Sequence, residues 1–152
     1  MIPEITVTKL FAVAAIAGTL MSFSSESNHT LPVEGKYRWV FEIPGKGAQT
    51  SVHDFRKSSV VYTMQGSAYN VEYAMNVLDY NRELNRVILK GAEGSPKAGR
   101  FFAIFLKNVT EDAVTMYKKE FASLEEALVF PLPSESDTES HGWNRYLKFR
   151  QD

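Results

Sequence analysis

Residues 68–80 form an alternating stretch that constrains the fold more than any other part of the chain. From Tyr69 to Val77 every second position is apolar, and the positions between them are polar or small. The apolar positions are Tyr69, Val71, Tyr73, Met75 and Val77. This period of two predicts a β-strand with one buried face. Thirteen extended residues would span about 43 Å, more than twice the usual strand length, so the strand must curl around a barrel or break at a bulge, and we predict that it curls.

Seven other segments, bounded by turn residues, also predict strands. The eight predicted strands cover residues 36–43, 51–55, 58–65, 68–80, 86–90, 101–106, 113–121 and 143–150. The sixth strand is continuously apolar, which predicts that both of its faces are covered. Ser123 and Glu126 have capping-box spacing, so we expect a short helix that ends near Phe130, before Pro131, and covers the outer side of the sixth strand.

These elements predict a mainly β fold, an eight-stranded antiparallel meander with one short helix before the last strand. Closing the meander into a barrel removes its exposed edges and leaves an interior for side chains or one small ligand. A sandwich of two sheets is the alternative architecture.

A short motif resembles the small bacterial lipocalin-like (calycin-type) barrels. Gly35, Lys36 and Tyr37 open the first strand where that family tends to have glycine, any residue and tryptophan, and Arg145 on the last strand matches the arginine that packs across that aromatic ring. Here tyrosine replaces the tryptophan, and Trp39 follows two residues later. The resemblance implies a barrel over most of the mature chain and a ligand that is small and hydrophobic or amphipathic.

The first residues predict export. Lys9 precedes an uncharged apolar run, and the small residues Ser22 and Ser24 follow at cleavage-site spacing, so residues 1–24 resemble a secretory signal peptide. A flexible lead-in over residues 25–34 and a single domain over residues 35–152 would follow. The alternative is a buried or membrane-anchoring helix, although the run is shorter than the roughly 20 residues of a bilayer span. Because the chain has no cysteine, the bacterial periplasm or the exterior of a bacterium fits better than a disulfide-rich secreted module.

Composition excludes several function classes. Seventeen basic and 18 acidic residues give a net charge of −1, which argues against a nucleic-acid partner. A nucleophile elbow, a phosphate loop and a His-Glu-x-x-His motif are all missing from the sequence, and His53 and Asp54 are strand neighbours that face opposite ways. We therefore predict that the protein is not an enzyme, needs no cofactor and meets the membrane only through its export signal.

Aromatic and thioether side chains supply the candidate ligand site. The predicted ligand-binding residues are Tyr37, Trp39, Tyr62, Tyr69, Tyr73, Met75 and Arg145. They would form an apolar wall that carries hydroxyl groups, as ligand pockets often do. The same residues would also suit a completely filled core.

Arg145 shares a face of the last predicted strand with Trp143, Leu147 and Phe149. If this apolar face points inward, the guanidinium enters the barrel and can hold a ligand carboxylate. In the alternative interpretation, Arg145 stacks on Tyr37 or Trp39 and closes one end of the barrel.

Two other functions remain open at this stage. An interaction or inhibitor module would have a filled core and would use the loops at residues 91–99 and 134–142. A metal carrier would bring His53 and His141 together, and zinc needs three or four ligands. We predict no metal site, because only Asp137, Glu139 and His141 lie near one another in the sequence.

Overall fold

The computed structural model describes residues 30–150. The predicted signal peptide, residues 1–24, and residues 25–29 of the predicted lead-in lie outside the described residues. The strands are β1 (Gly35–Ile43), β2 (Gly47–Phe55), β3 (Ser59–Gly66), β4 (Val71–Asn81), β5 (Arg86–Gly91), β6 (Phe101–Lys107), β7 (Ala113–Phe121) and β8 (Asn144–Phe149). Helix α1 (Leu124–Val129) and a 3-10 turn (Glu139–His141) lie between β7 and β8. Within residues 30–150, no helix is long and apolar enough to cross a membrane.

The eight strands form a closed antiparallel barrel in sequence order. Each strand pairs with the next, and β1 pairs with β8 from Lys36 opposite Phe149 to Arg38 opposite Leu147. The predicted barrel, with its short helix before the last strand, is therefore confirmed, and the two-sheet alternative is wrong.

Strand β4 departs from its prediction at both ends. It begins at Val71 because the side-chain oxygen of Gln49 accepts hydrogen bonds from the backbone N–H groups of Ala68 and Tyr69, at 2.7 and 3.2 Å. Near its other end, the register with β5 shifts between Val77 and Asp79.

This shift is a bulge, the feature that the length of the strand allows as the alternative to curling. Val77 and Tyr80 both pack against the inner core although they are three residues apart, whereas Leu78 packs outside. A regular strand alternates faces at every residue, so the extra residue reverses the alternation after Val77.

Helix α1 covers the outer face of the barrel at β6, as predicted. Leu124 and Leu128 pack with Phe105 in an outer apolar cluster, while Phe102 on the same strand faces the inner core. Ser123 caps the helix because its hydroxyl oxygen accepts a hydrogen bond from the backbone N–H of Glu126 at 3.2 Å. Strand β6 is therefore apolar on both faces, because one face contacts the inner core and the other contacts the outer cluster under helix α1.

The ordered unit begins before Gly35. Val33 is 4% exposed within the inner core, and Leu31 packs against the same cluster. Leu31 and Val33, at the end of the predicted lead-in, therefore contribute apolar side chains to the barrel interior.

Candidate functional site

A cavity of about 220 Å³ lies inside the barrel. Its polar wall includes Ser51, His53, Tyr62, Tyr73, Lys118 and Tyr146. Its apolar wall includes Trp39, Met64, Phe102 and Met116. Ser140, His141 and Gly142 also line it, so the segment between β7 and β8 borders one side. The arrangement combines an apolar surface with a few converging polar groups, which is typical of small-molecule sites.

Alternation on β2 and β7 carries the polar residues into the barrel. On β2, Gln49, Ser51 and His53 are buried on the same face as Phe55. On β7, Lys118 has the parity of the core residue Met116, and Tyr117 between them faces the outer cluster. Each polar group therefore enters the interior because its strand places apolar residues there at the same period.

Lys118 is the central cationic group of the cavity. Its ammonium donates a hydrogen bond to the Tyr73 hydroxyl at 3.0 Å and lies 3.3 Å from the centroid of the Tyr62 ring. No carboxylate of residues 30–150 forms an ion pair with it. The contact with the ring offsets part of the cost of burying a cation.

Burial lowers the pKa of Lys118 to about 7. The nearby carboxylate of Glu120 raises this pKa, and Lys97 lowers it further. The side chain is only partly enclosed by surface area, because it borders the cavity. At neutral pH the amine is thus divided between its charged and neutral forms.

Glu120 also borders the cavity but is already engaged by two cations. Lys97 and Arg100 lie 2.9 and 2.6 Å from its carboxylate oxygens. Burial alone would raise the pKa of Glu120, but the bonds and charges of Lys97 and Arg100 outweigh it and lower the pKa. Glu120 is therefore an ionised group whose charge is balanced mainly outside the cavity.

His53 is buried without a hydrogen-bond partner for either ring nitrogen among the described residues. Burial, and then the charge of Lys118, lower its pKa well below 6.5. The imidazole is therefore neutral at pH 7 and offers one donor and one acceptor. The rings of Tyr62 and Tyr146 surround it, with centroids 4.8 and 5.1 Å away.

Hydroxyl groups complete the polar wall. The Ser51 and Tyr146 hydroxyls lie 2.9 Å apart, and Ser51 also donates to the Tyr62 hydroxyl at 3.4 Å. Burial raises the pKa values of Tyr62, Tyr73 and Tyr146, so all three phenols keep their protons at neutral pH. Each of these hydroxyls can both donate and accept a hydrogen bond, and the formal charge of the cavity that no ion pair within residues 30–150 compensates is the cation of Lys118.

The structure brings together three of the seven predicted ligand residues. Trp39, Tyr62 and Tyr73 line the cavity. Tyr37 and Met75 are buried in the inner core but do not border the cavity.

Tyr69 does not reach the cavity. It is 56% exposed because it precedes β4, and its backbone is held by Gln49.

The predicted inward position of Arg145 is wrong. Arg145 is exposed, and Leu147 is 49% exposed, whereas Tyr146 is the buried residue of β8. Trp143 made the face that carries Arg145 look like the inner face, but Trp143 packs in the outer cluster and not inside the barrel.

The ring-stacking role predicted for Arg145 is also wrong. Lys148, on the inner face of β8, lies 5.7 Å from the centroid of the Tyr37 ring instead.

Ser51, His53, Lys118 and Tyr146 line the cavity but were not among the predicted ligand-binding residues, and His53 was named only as a possible metal ligand. Strand alternation could have identified three of these residues. It places Lys118 on the same face as Met116, and it places Ser51 and His53 on the same face as Phe55. Tyr146 was missed because the face of β8 that carries Arg145 was expected to point inward, which would place Tyr146 outside.

A metal site is not supported by the described residues. His53 and His141 both line the cavity. However, no group of three or more histidine, aspartate or glutamate side chains within residues 30–150 could hold a metal ion.

Comparison of the chain with protein-family models, with curated proteins and with solved structures found no match.

Proposed function

We propose that this chain is an exported, lipocalin-like barrel protein that binds one small amphipathic molecule with an anionic head group. The observation that carries the proposal is the position of Lys118, a cation at the wall of an interior cavity with no carboxylate partner within residues 30–150. A ligand carboxylate would supply the missing charge and accept hydrogen bonds from buried donors.

The groups around Lys118 suit such a head group. The Tyr73 hydroxyl accepts the bond from Lys118 and still has its own hydrogen to donate, and one nitrogen of His53 is also a free donor. Met64, Phe102 and Met116 offer an apolar surface for the rest of the ligand. The head group of an amphipathic molecule would therefore contact the polar wall of the cavity, and its apolar part would contact the apolar wall.

The size of the cavity limits the ligand. Its volume of about 220 Å³ is smaller than the roughly 300–1,000 Å³ of pockets that enclose drug-sized molecules. We accordingly expect a short aliphatic or single-ring acid to fit, and not a long-chain lipid that must be enclosed completely.

The rival interaction module would require a filled interior. The cavity favours ligand binding over this alternative, although the loops at residues 91–99 and 134–142 remain available to a protein partner. Export is supported by the sequence pattern of residues 1–24. Sequencing the amino terminus of the protein from its native host should give a start near Ser25, and an intact Met1 would refute the export proposal.

Calorimetric titration with hexanoate, hexanol and hexylamine tests the ligand class. Hexanoate should bind most tightly, and its affinity should fall above pH 7 as Lys118 loses its proton. Lys118→Met should weaken hexanoate by roughly tenfold or more, because a hydrogen bond to a charged group contributes about 1.5–3 kcal/mol.

Lys119→Met is the matched control. Lys119 is the next residue on β7, faces outward and pairs with Glu139 at 3.0 Å, so its replacement should leave hexanoate binding unchanged. Equal affinities for hexanoate and hexanol, or binding of neither, would refute the proposed anionic ligand.

A further inference from the structure

The amine of Lys118 combines three properties. It borders the interior cavity, it lies 3.3 and 5.9 Å from the ring centroids of Tyr62 and Phe102, and no carboxylate of the described residues pairs with it. Burial without a directly paired carboxylate favours the neutral amine. A neutral lysine amine is a nucleophile that forms Schiff bases with carbonyl compounds.

We propose that Lys118 condenses reversibly with a small aldehyde in the cavity to form an imine. This is a covalent activity beyond the proposed function, in which the charged form of the same side chain binds an acid. It rests on the cavity and on the surroundings of Lys118, and it does not require that an acid binds.

The condensation needs no further reactant. The lone pair of Nζ forms a bond to the carbonyl carbon, and the carbonyl oxygen becomes the hydroxyl of a carbinolamine. The carbon–oxygen bond then breaks while the carbon–nitrogen double bond forms. Both amine hydrogens leave with the oxygen as one molecule of water, so the step is balanced and involves no oxidation or reduction.

Tyr73 is placed to assist both stages. Its hydroxyl lies 3.0 Å from Nζ, within reach of an oxygen on a carbon that is bonded to Nζ. Burial, and then the charges of Tyr62, Glu120 and Tyr146, raise the pKa of Tyr73 well above its ordinary value of 10, so the phenol keeps its proton. It can therefore donate a hydrogen bond to the carbonyl oxygen and to the departing oxygen.

The surroundings predict the pH dependence. The titratable groups that line the cavity with Lys118, or act on its charge, are His53, Tyr62, Tyr73, Glu120, His141, Tyr146 and Lys97. Among them only Glu120 is an anion at neutral pH, and Lys97 and Arg100 already bind it. Lys118, with a pKa of about 7, is half neutral at pH 7, a fraction roughly a thousandfold larger than for an ordinary lysine.

Reductive trapping with hexanal tests the inference. The whole protein is incubated with hexanal and sodium cyanoborohydride at pH 7, digested and mapped by mass spectrometry. Lys118 should be alkylated about tenfold or more faster than Lys119, its outward-facing neighbour, because of its larger neutral fraction. The α-amino group, with an ordinary pKa near 8, also reacts, and peptide mapping separates its product from that of Lys118.

Variants and pH then separate the outcomes. Lys118→Arg should abolish the interior adduct, and Tyr73→Phe should slow its formation by tenfold or more while the adduct still forms on Lys118. At pH 10 the preference for Lys118 should largely disappear, because surface lysines become neutral too. Labelling of Lys118 at pH 7 that is no faster than that of Lys119 would overturn the inference.

Hexanoate binding is read independently. A protein that binds hexanoate but gives no Lys118 adduct would refute the imine and leave the proposed function intact. A protein that gives the adduct without binding hexanoate would support the imine and refute the proposed anionic ligand.

Discussion

Replacing Lys118 with methionine should stabilise the barrel near neutral pH, by an amount that depends on pH. The lysine has a pKa of about 7 in the folded protein and about 10.5 in the unfolded chain. Between these values the unfolded chain binds more protons, so the free energy of unfolding of the wild type rises with pH. Methionine has a similar length and no charge, so it removes this dependence.

The magnitude follows from the two pKa values. Each pKa unit corresponds to about 1.4 kcal/mol, and most of the titration window lies between pH 7 and pH 10. The stability advantage of Lys118→Met over the wild type should therefore shrink by about 3 kcal/mol over this range.

Urea unfolding at pH 7, 8.5 and 10 measures this difference. Tyrosines of the unfolded chain also titrate near pH 10, but they are common to both proteins and cancel in the comparison. Lys119→Met serves as the control, because its exposed ion pair with Glu139 contributes little and should give a difference that is nearly independent of pH. Parallel stability curves for Lys118→Met and the wild type would refute the claim that the folded barrel disfavours the charged lysine.

Three further substitutions test other parts of the structure by the same unfolding assay. Ser123→Ala should cost about 1 kcal/mol, because it removes the acceptor for the Glu126 N–H, and an unchanged stability would show that the cap contributes nothing. His53→Leu should raise stability by about 1 kcal/mol at pH 7, because it removes two buried nitrogens without partners among the described residues, whereas a loss would show that these nitrogens are satisfied. Arg145→Ala should change stability by less than about 0.5 kcal/mol and leave hexanoate affinity unaltered, because the side chain is exposed on the outer face, and weaker binding would restore its predicted inward role.

The sequence predicted the fold well because each strand carries its own evidence. The uniform apolar character of β6 predicted cover on both faces, and Ser123 with Glu126 predicted the start of the covering helix. These signals are local, so they can be recognised without knowing the register between strands.

The site was harder to predict because it depends on pairings between distant parts of the chain. Ser51 and Tyr146 are 95 residues apart and meet only when the barrel closes. The faces of β8 were exchanged because Trp143 is apolar for a reason outside the barrel, namely its packing in the outer cluster. A lysine on a strand is normally expected to be exposed. Only the alternation of β7, which places Lys118 on the same face as Met116, predicts that this lysine points into the barrel.

The pairing of β1 with β8 has a consequence for the order in which the molecule can form. The seam joins residues more than a hundred positions apart, and such contacts incur a large loop-closure entropy and fold slowly. Until Asn144–Phe149 has left the ribosome, β1 and β7 are unpaired edges that can join strands of other chains. Tyr146 belongs to that last strand, so the chain completes its interior cavity and covers its exposed edges in the same event.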